Sequence, residues 1–129
     1  MKDLLLREGV NEVLPLRKES SPTDMGDDII EYLNSKAQGV IILEGDWGTC
    51  TWRGSRDAVR LEKRGIPTVI FCPEAFRGIV QTQARLAGMP LYEPVTIPGM
   101  VVAQSPQEII AKVDRIAPMI IQGLVKKQT

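Results

Sequence analysis

The residues best suited to chemistry lie in one short polar segment of this sequence. The segment follows five apolar or small residues at positions 39 to 43 and consists of Gly45, Asp46, Trp47, Gly48, Thr49, Cys50 and Thr51. A thiolate is a strong nucleophile, and both a helix that begins near Cys50 and the guanidinium of Arg53 would favour it. Threonine hydroxyls and loop N–H groups would then bind a developing negative charge. Cys50 is therefore the candidate catalytic residue.

The same pattern has a purely structural interpretation, in which Gly45 and Gly48 make a tight turn and Cys50 is a small buried residue. If the segment instead binds a small-molecule substrate, its polar and aromatic residues are the candidate ligand contacts. These candidates are Asp46, Trp47, Gly48, Thr49, Thr51 and Arg53. Cys72 is a possible second thiol.

Several nearby side chains also have two interpretations. Arg53 and Arg56 would form an anion site with the helix N-terminus, or would simply be solvated. Trp47 and Trp52 indicate a stacking wall or an interface anchor, or plain packing. The acidic residues are candidates for acid or base catalysis or for helix capping. They are Glu44, Asp46 and Glu74.

Two buried strands and a helix must position this segment. The apolar runs at residues 39 to 44 and 66 to 72 predict the strands, and the amphipathic pattern at residues 53 to 64 predicts the helix between them. A strand, helix, strand unit of this length predicts a parallel crossover. Cys50 and Cys72 would then lie at the same rim of the sheet.

The rest of the chain continues the alternation of helices and strands. Apolar periodicity predicts helices at residues 2 to 8, 25 to 36, 73 to 86 and 106 to 124, the last introduced by a capping box from Ser105 to Glu108. Strands are predicted at residues 95 to 97 and, at an edge because of Pro15, at residues 11 to 17; residues 100 to 102 are strand or loop. The fold class is α/β, a Rossmann-like or flavodoxin-like three-layer domain over residues 1 to 129. Its small, mostly parallel sheet has three or four strands, with helices on both faces.

Composition excludes several classes of function. The 16 basic and 16 acidic residues give no net charge, which argues against a nucleic-acid partner. The chain has no histidine, so the usual zinc sites and any Ser-His or Cys-His pair within it are excluded. No apolar run is long enough for a membrane span or a signal peptide, so a cytoplasmic protein is expected. No dinucleotide or P-loop motif occurs, and we predict neither a cofactor nor a metal.

The central segment resembles a known family. Residues 45 to 51 lead into Asp57-Ala58, Leu61-Glu62, the stretch from Arg64 to Val69, and Cys72. Together they resemble the UGSC family of selenoproteins and cysteine homologues, named for selenocysteine-Gly-Ser-Cys. They are also similar to the end of the selenoprotein B component of the glycine, sarcosine and betaine reductases. The resemblance extends from about Leu4 to Ile116.

The resemblance implies a Rossmann-like domain whose selenol or thiol, at the position of Trp47, attacks an activated carbon or a bond to nitrogen or sulfur. Cys50 would be the resolving cysteine. This chain departs from the pattern at three polar positions: Trp47 replaces the reactive chalcogen, Arg56 stands where the family often has a histidine, and so does Gly99.

Two hypotheses from different classes follow. In the first, the protein is a thiol-dependent reductase or transferase with Cys50 as its nucleophile. In the second, it is a non-catalytic binding or assembly subunit that pairs with a homologous chain carrying the intact motif. The chain opens with a helix where such domains usually have a buried strand, so that strand is missing or supplied by a partner. Either hypothesis predicts a homo-oligomer or a hetero-oligomer.

Overall fold

The computed structural model describes residues 1–17, 24–43 and 48–125, which form an alternating helix and strand chain. The helices are α1 (Lys2–Arg7), α2 (Asp27–Lys36), α3 (Gly48–Lys63), α4 (Arg77–Leu86) and α5 (Pro106–Val125). The strands are β1 (Val40–Leu43), β2 (Thr68–Pro73) and β3 (Val95–Ile97). Short 3-10 helices, Glu74–Phe76 and Val101–Ala103, precede α4 and α5.

The sheet is parallel throughout its three strands, in the order β1-β2-β3. Val40 pairs with Thr68 at one end of the β1–β2 ladder, and Phe71 pairs with Val95 at the start of the β2–β3 ladder. Every residue of β2 is buried, as a central strand with a helical layer on each side requires. The predicted α/β class with a small parallel sheet is thus confirmed.

Three helices cover one face of the sheet. Ile70 and Cys72 of β2 pack against Ala58 and Val59 of α3 and against residues of α4, while α2 packs over β1 and the end of α3. The buried Tyr92 donates its hydroxyl to the backbone carbonyl of Thr68 at 2.5 Å. This face therefore supports α3 along its whole length.

Helices α1 and α5 cover the opposite face. Val69 and Phe71 of β2 pack with Leu5 of α1 and Ile120 of α5. Gly123 lets α5 approach the sheet closely, because a Cβ there would lie 2.6 Å from Cγ2 of Val69. Helices on both faces of the sheet were predicted, and the layer formed by α1 and α5 confirms the second face.

The predicted edge strand at residues 11 to 17 is wrong. These residues form no ladder; Val13 packs against the α5 face, whereas Leu16 lies beside Ile29 of α2 on the other face. The segment thus passes from one face of the sheet to the other, and Pro15 lacks the N–H that a ladder would need.

Two other boundaries differ from the predicted ones. Helix α3 begins at Gly48, one full turn before the predicted residue 53, and residues 101 to 103 form a 3-10 turn. The predicted capping box is confirmed: the Ser105 N–H donates to Oε2 of Glu108 at 2.7 Å, and the Glu108 N–H donates to Oγ of Ser105 at 3.2 Å. Across the described ranges, no helix has the length and apolarity needed to cross a bilayer.

Candidate functional site

The first turn of α3 carries the candidate nucleophile. Gly48, Thr49 and Cys50 are the first three residues of this helix, which follows β1 at the carboxyl end of the sheet. Cys50 is partly buried and Thr49 is exposed. No acidic residue lies in this first turn, so no carboxylate of the turn neutralises the positive end of the helix dipole. The turn combines a partly buried cysteine with the backbone N–H groups at the start of a helix.

Three of the predicted residues lie outside the described part of the chain. They are Glu44, Asp46 and Trp47. Their predicted roles in catalysis, capping or substrate binding stay predictions.

Thr51 lies in the interior. Its side chain is fully buried, and its carbonyl accepts a 2.6 Å hydrogen bond from Oγ of Ser55 one turn later. A fully buried hydroxyl does not face a ligand at the surface of the helix. We therefore keep Thr49 in the candidate binding set and leave Thr51 out of it.

The side chain of Arg53 is directed at an acidic residue and an aromatic ring. Its Nη1 lies 3.4 Å from Oδ1 of Asp24, and its Cζ lies 4.4 Å from the ring centroid of Trp52. Arg56 reaches the same two groups, with Nη2 3.4 Å from Oδ2 of Asp24 and Cζ 5.4 Å from the Trp52 centroid. The interpretation that Arg56 is simply solvated is therefore incomplete, because its guanidinium also contacts Asp24 and Trp52. We call Asp24, Trp52, Arg53 and Arg56 the arginine–tryptophan cluster.

Asp57 and Arg60 tie the segment before α2 to α3. The Met25 N–H donates to Oδ1 of Asp57 at 2.8 Å, and Nη1 of Arg60 donates to the Met25 carbonyl at 2.7 Å. Arg60 also pairs with Asp27 at 2.9 Å and with the buried Asp57 at 3.3 Å. These hydrogen bonds and ion pairs fix the backbone beside Asp24 and so position the arginine–tryptophan cluster.

Cys72 occupies a different environment from Cys50. It is fully buried in the core between β2 and the helices α3 and α4. Neither cysteine forms a disulfide. Cys72 lies near the carboxyl end of β2, one residue before the strand ends at Pro73 and close to its predicted place, and its thiol is enclosed by apolar side chains.

A second polar cluster lies at the carboxyl ends of β2 and β3. Arg77 donates from Nε to Oε1 of Glu74 at 2.9 Å, from Nη1 to Oε2 of Glu93 at 3.1 Å and from Nη2 to Oγ1 of Thr96 at 2.9 Å. Thr96 also donates its hydroxyl to Glu74, and Gln81 donates to Glu93. Arg77 is thus bonded to three side chains from two loops and a strand.

This second cluster determines the ionisation of Glu74. The hydrogen bond from Arg77, followed by that from Thr96, holds the pKa of Glu74 below its ordinary value. Glu74 is therefore an ion-paired carboxylate. Only Glu74 was singled out from the sequence; Arg77, Glu93 and Thr96 were missed because their separation along the chain gives no local signal.

The loop after β3 is organised around Gln104. Its Nε2 donates to the carbonyls of Met100 at 2.9 Å and Pro98 at 3.2 Å, and Nζ of Lys112 also donates to Pro98 at 3.1 Å. Gly99 has a φ of +77°, which residues with a Cβ adopt at a cost. The side chain that the family pattern often carries here would be strained in this loop.

The described residues include no cluster of three or more cysteine or acidic side chains able to hold a metal ion.

The fold is an α/β domain with a three-stranded parallel sheet between helical layers, and a thiol lies in the first turn of the helix that follows its edge strand. The chain belongs to the UGSC family, whose model matches residues 1–126. No curated protein and no solved structure matches the chain in the comparisons.

Proposed function

We propose that this protein is a thiol-dependent reductase or transferase of the UGSC family, similar to the selenoprotein B component of the glycine, sarcosine and betaine reductases, with Cys50 as its nucleophile. The observation that carries the proposal is the position of Cys50 in the first turn of a 16-residue helix without an acidic residue in that turn. The exposed Thr49 and the N–H groups of the same turn would bind the charge that develops on a small substrate.

In the proposed step, Sγ of Cys50 forms a bond to an electrophilic atom of the substrate. The bond from that atom to its leaving group breaks, and the leaving group departs with the electron pair. The nucleophile in this step is the thiolate, the reactive form of a cysteine side chain. Arg53 is not the activating group, since its guanidinium contacts Asp24 and Trp52.

Alkylation by iodoacetamide tests the nucleophile. At about pH 7 we expect rapid labelling of Cys50 and labelling of Cys72 only on unfolding, because the reagent must reach a thiolate and Cys72 is fully buried. Peptide mass spectrometry of the native and urea-unfolded chain measures both sites. The variants Cys50→Ser and Cys72→Ala assign the label, and equal, slow labelling of both thiols in the folded chain would contradict the proposal.

We also propose that the chain assembles through β1 with a second copy or a homologous subunit. All four residues of β1 are apolar, yet β1 is an edge strand, and Leu43 is 58% exposed. An apolar edge of this kind favours pairing with another strand. A non-catalytic subunit would use the same edge, so this observation also supports the second hypothesis.

The directions of the backbone N–H and C=O groups of β1 suggest two matched variants that test the proposed assembly. The Val40 N–H donates to the Pro67 carbonyl on the β2 side, so the backbone groups of Ile41 and Leu43 point to the free edge. Leu43→Pro removes an outward N–H and should yield monomers, whereas Leu43→Thr keeps it and should assemble more like the parent chain. Light scattering after size exclusion measures this. A monomeric parent chain at micromolar concentration would contradict self-assembly, and copurification of a homologous chain would identify the other partner.

A further inference from the structure

The arginine–tryptophan cluster is built like an oxyanion site in which Asp24 supplies the oxyanion. Two guanidinium groups converge on one carboxylate, and Trp52 contacts both of them. A guanidinium presents donors in a fixed planar fork that suits carboxylates and phosphates, and an aromatic face holds that fork in place. The cluster therefore has the donors and the rigidity that recognition of such a group requires.

The contacts to Asp24 are loose. Both are 3.4 Å long, whereas the Arg60–Asp27 and Arg77–Glu74 pairs of the same protein close to 2.9 Å. Charge-assisted hydrogen bonds are normally about 2.7–2.9 Å long. Asp24 thus neutralises part of the charge of the two arginines without forming the strong bonds that their donors allow.

Arg53 also has an unused donor. Its Nε is buried and has no hydrogen-bond partner within the described part of the chain. A buried donor without an acceptor is costly, and native structures satisfy nearly all of them. The nearby acids of α2 and α3 do not compensate, since Asp27 and Asp57 are bonded to Arg60. An oxyanion that reaches Nε of Arg53 as well as the Nη donors would satisfy this cluster better than Asp24 does.

We propose that Arg53 and Arg56, held by Trp52, bind the oxyanion group of a small ligand, a carboxylate or a phosphate, and that Asp24 is the internal group that this ligand displaces. The backbone beside Asp24 stays fixed during the exchange. The Met25 N–H donates to Asp57, and the Met25 carbonyl accepts a hydrogen bond from Arg60. Arg53 follows Cys50 by three residues in α3, so the site lies one helical turn from the thiol. The binding itself does not depend on the reactivity of Cys50.

The side-chain Nε–H resonance of Arg53 reports on the site directly. In the nitrogen-15-labelled full chain, sodium succinate and inorganic phosphate are titrated separately, with sodium chloride holding the ionic strength constant. We expect a saturable shift of the Arg53 resonance with at least one of the two anions, and which one saturates identifies the preferred group. The Cys50→Ser variant should give the same curve, which separates this test from that of the nucleophile.

Variants distinguish the site from general surface charge. Asp24→Asn removes the competing carboxylate and should tighten binding about tenfold. The indole N–H resonance of Trp52, which contacts both guanidinium groups, serves as the reporter in the variants, since Arg53→Met removes the Arg53 signal. Arg53→Met and Arg56→Met should each abolish saturation, whereas Arg64→Met, at an exposed position just after α3, should leave it unchanged. A linear response in both the parent chain and Asp24→Asn, or saturation that survives Arg53→Met, would overturn the proposal. Dispersed amide spectra confirm that each variant is folded.

Discussion

At the scale of single residues, the two cysteines show how position on an element determines what a thiol can do. Cys50 lies in the first turn of α3, where N–H groups without intrahelical acceptors favour negative charge, whereas Cys72 lies among apolar side chains between β2 and two helices. The sequence predicted the place of both residues at the carboxyl side of the sheet. It also placed Cys72 in a buried strand, as the structure confirms, but it did not predict which helices enclose it, because this depends on how α3 and α4 pack together.

Glu74 has a measurable effect on stability in acid. Its pKa in the folded chain is below the ordinary value of 4.5, chiefly because Arg77 donates to its carboxylate. The stability that it contributes is therefore present above about pH 4.5 and is lost as the pH falls through the folded pKa. We expect Glu74→Gln to be less stable than the parent chain near pH 7 and to differ from it progressively less towards about pH 3.

Urea unfolding across this pH range measures the effect. The informative quantity is the difference between variant and parent, because burial raises the pKa of Glu62 and so shifts the stability of both chains in the opposite direction. Glu12→Gln is the control, since Glu12 is exposed and forms no ion pair among the described residues. A Glu74→Gln difference that stays constant with pH would contradict the assigned role of Arg77.

At the scale of elements, the close approach of α5 to β2 depends on Gly123. An alanine there would place its Cβ 2.6 Å from Cγ2 of Val69, a buried and β-branched side chain that cannot easily move away. We expect Gly123→Ala to lower the free energy of unfolding by about 1–3 kcal/mol. Thermal and urea unfolding measure the change.

Gly78 provides the matched control for this prediction. It is also a helical glycine, in α4, but a Cβ there would meet nothing within 4 Å. Gly78→Ala should therefore stabilise the chain by up to about 1 kcal/mol through helix propensity alone. If both variants were stabilised, the contact between Gly123 and Val69 would not be the tight packing described.

The elements also show where sequence patterns were sufficient. The capping box at Ser105 and Glu108 and the apolar run of β2 were read correctly, because each depends on residues close together in the chain. The alternation at residues 11 to 17 was misleading, because a strand needs a partner as well as a pattern. The amphipathic pattern from residue 53 left out the first turn of α3, which begins at Gly48, near the start at Cys50 that the candidate site assumed. Glycine and threonine are weak helix formers, and the fold overrides that preference.

At the scale of the whole molecule, the sheet corresponds to one half of a doubly wound fold. Its strands follow one another in a single direction, so the described sheet contains no point at which the strand order reverses. Open α/β sheets bind ligands outside the carboxyl ends of their strands, at such a reversal. A strand added along β1 would create such a reversal of strand order beside α3. The proposed assembly would therefore complete the proposed site. The sequence predicted the parallel sheet but not its strand order, which depends on long-range packing.

The strand order also affects how the chain folds. Each strand pairs with the next strand along the chain, Val40 with Thr68 and Phe71 with Val95, so each ladder needs only one helical crossover. A single crossover costs less entropy to close than a contact between distant parts of the chain. During synthesis, β1, α3 and β2 can associate before β3 has left the ribosome. Leu5 of α1 can pack on Val69 and Phe71 once β2 is present, but its packing against Ile120 and the pairing of Arg7 with Asp114 must wait for α5.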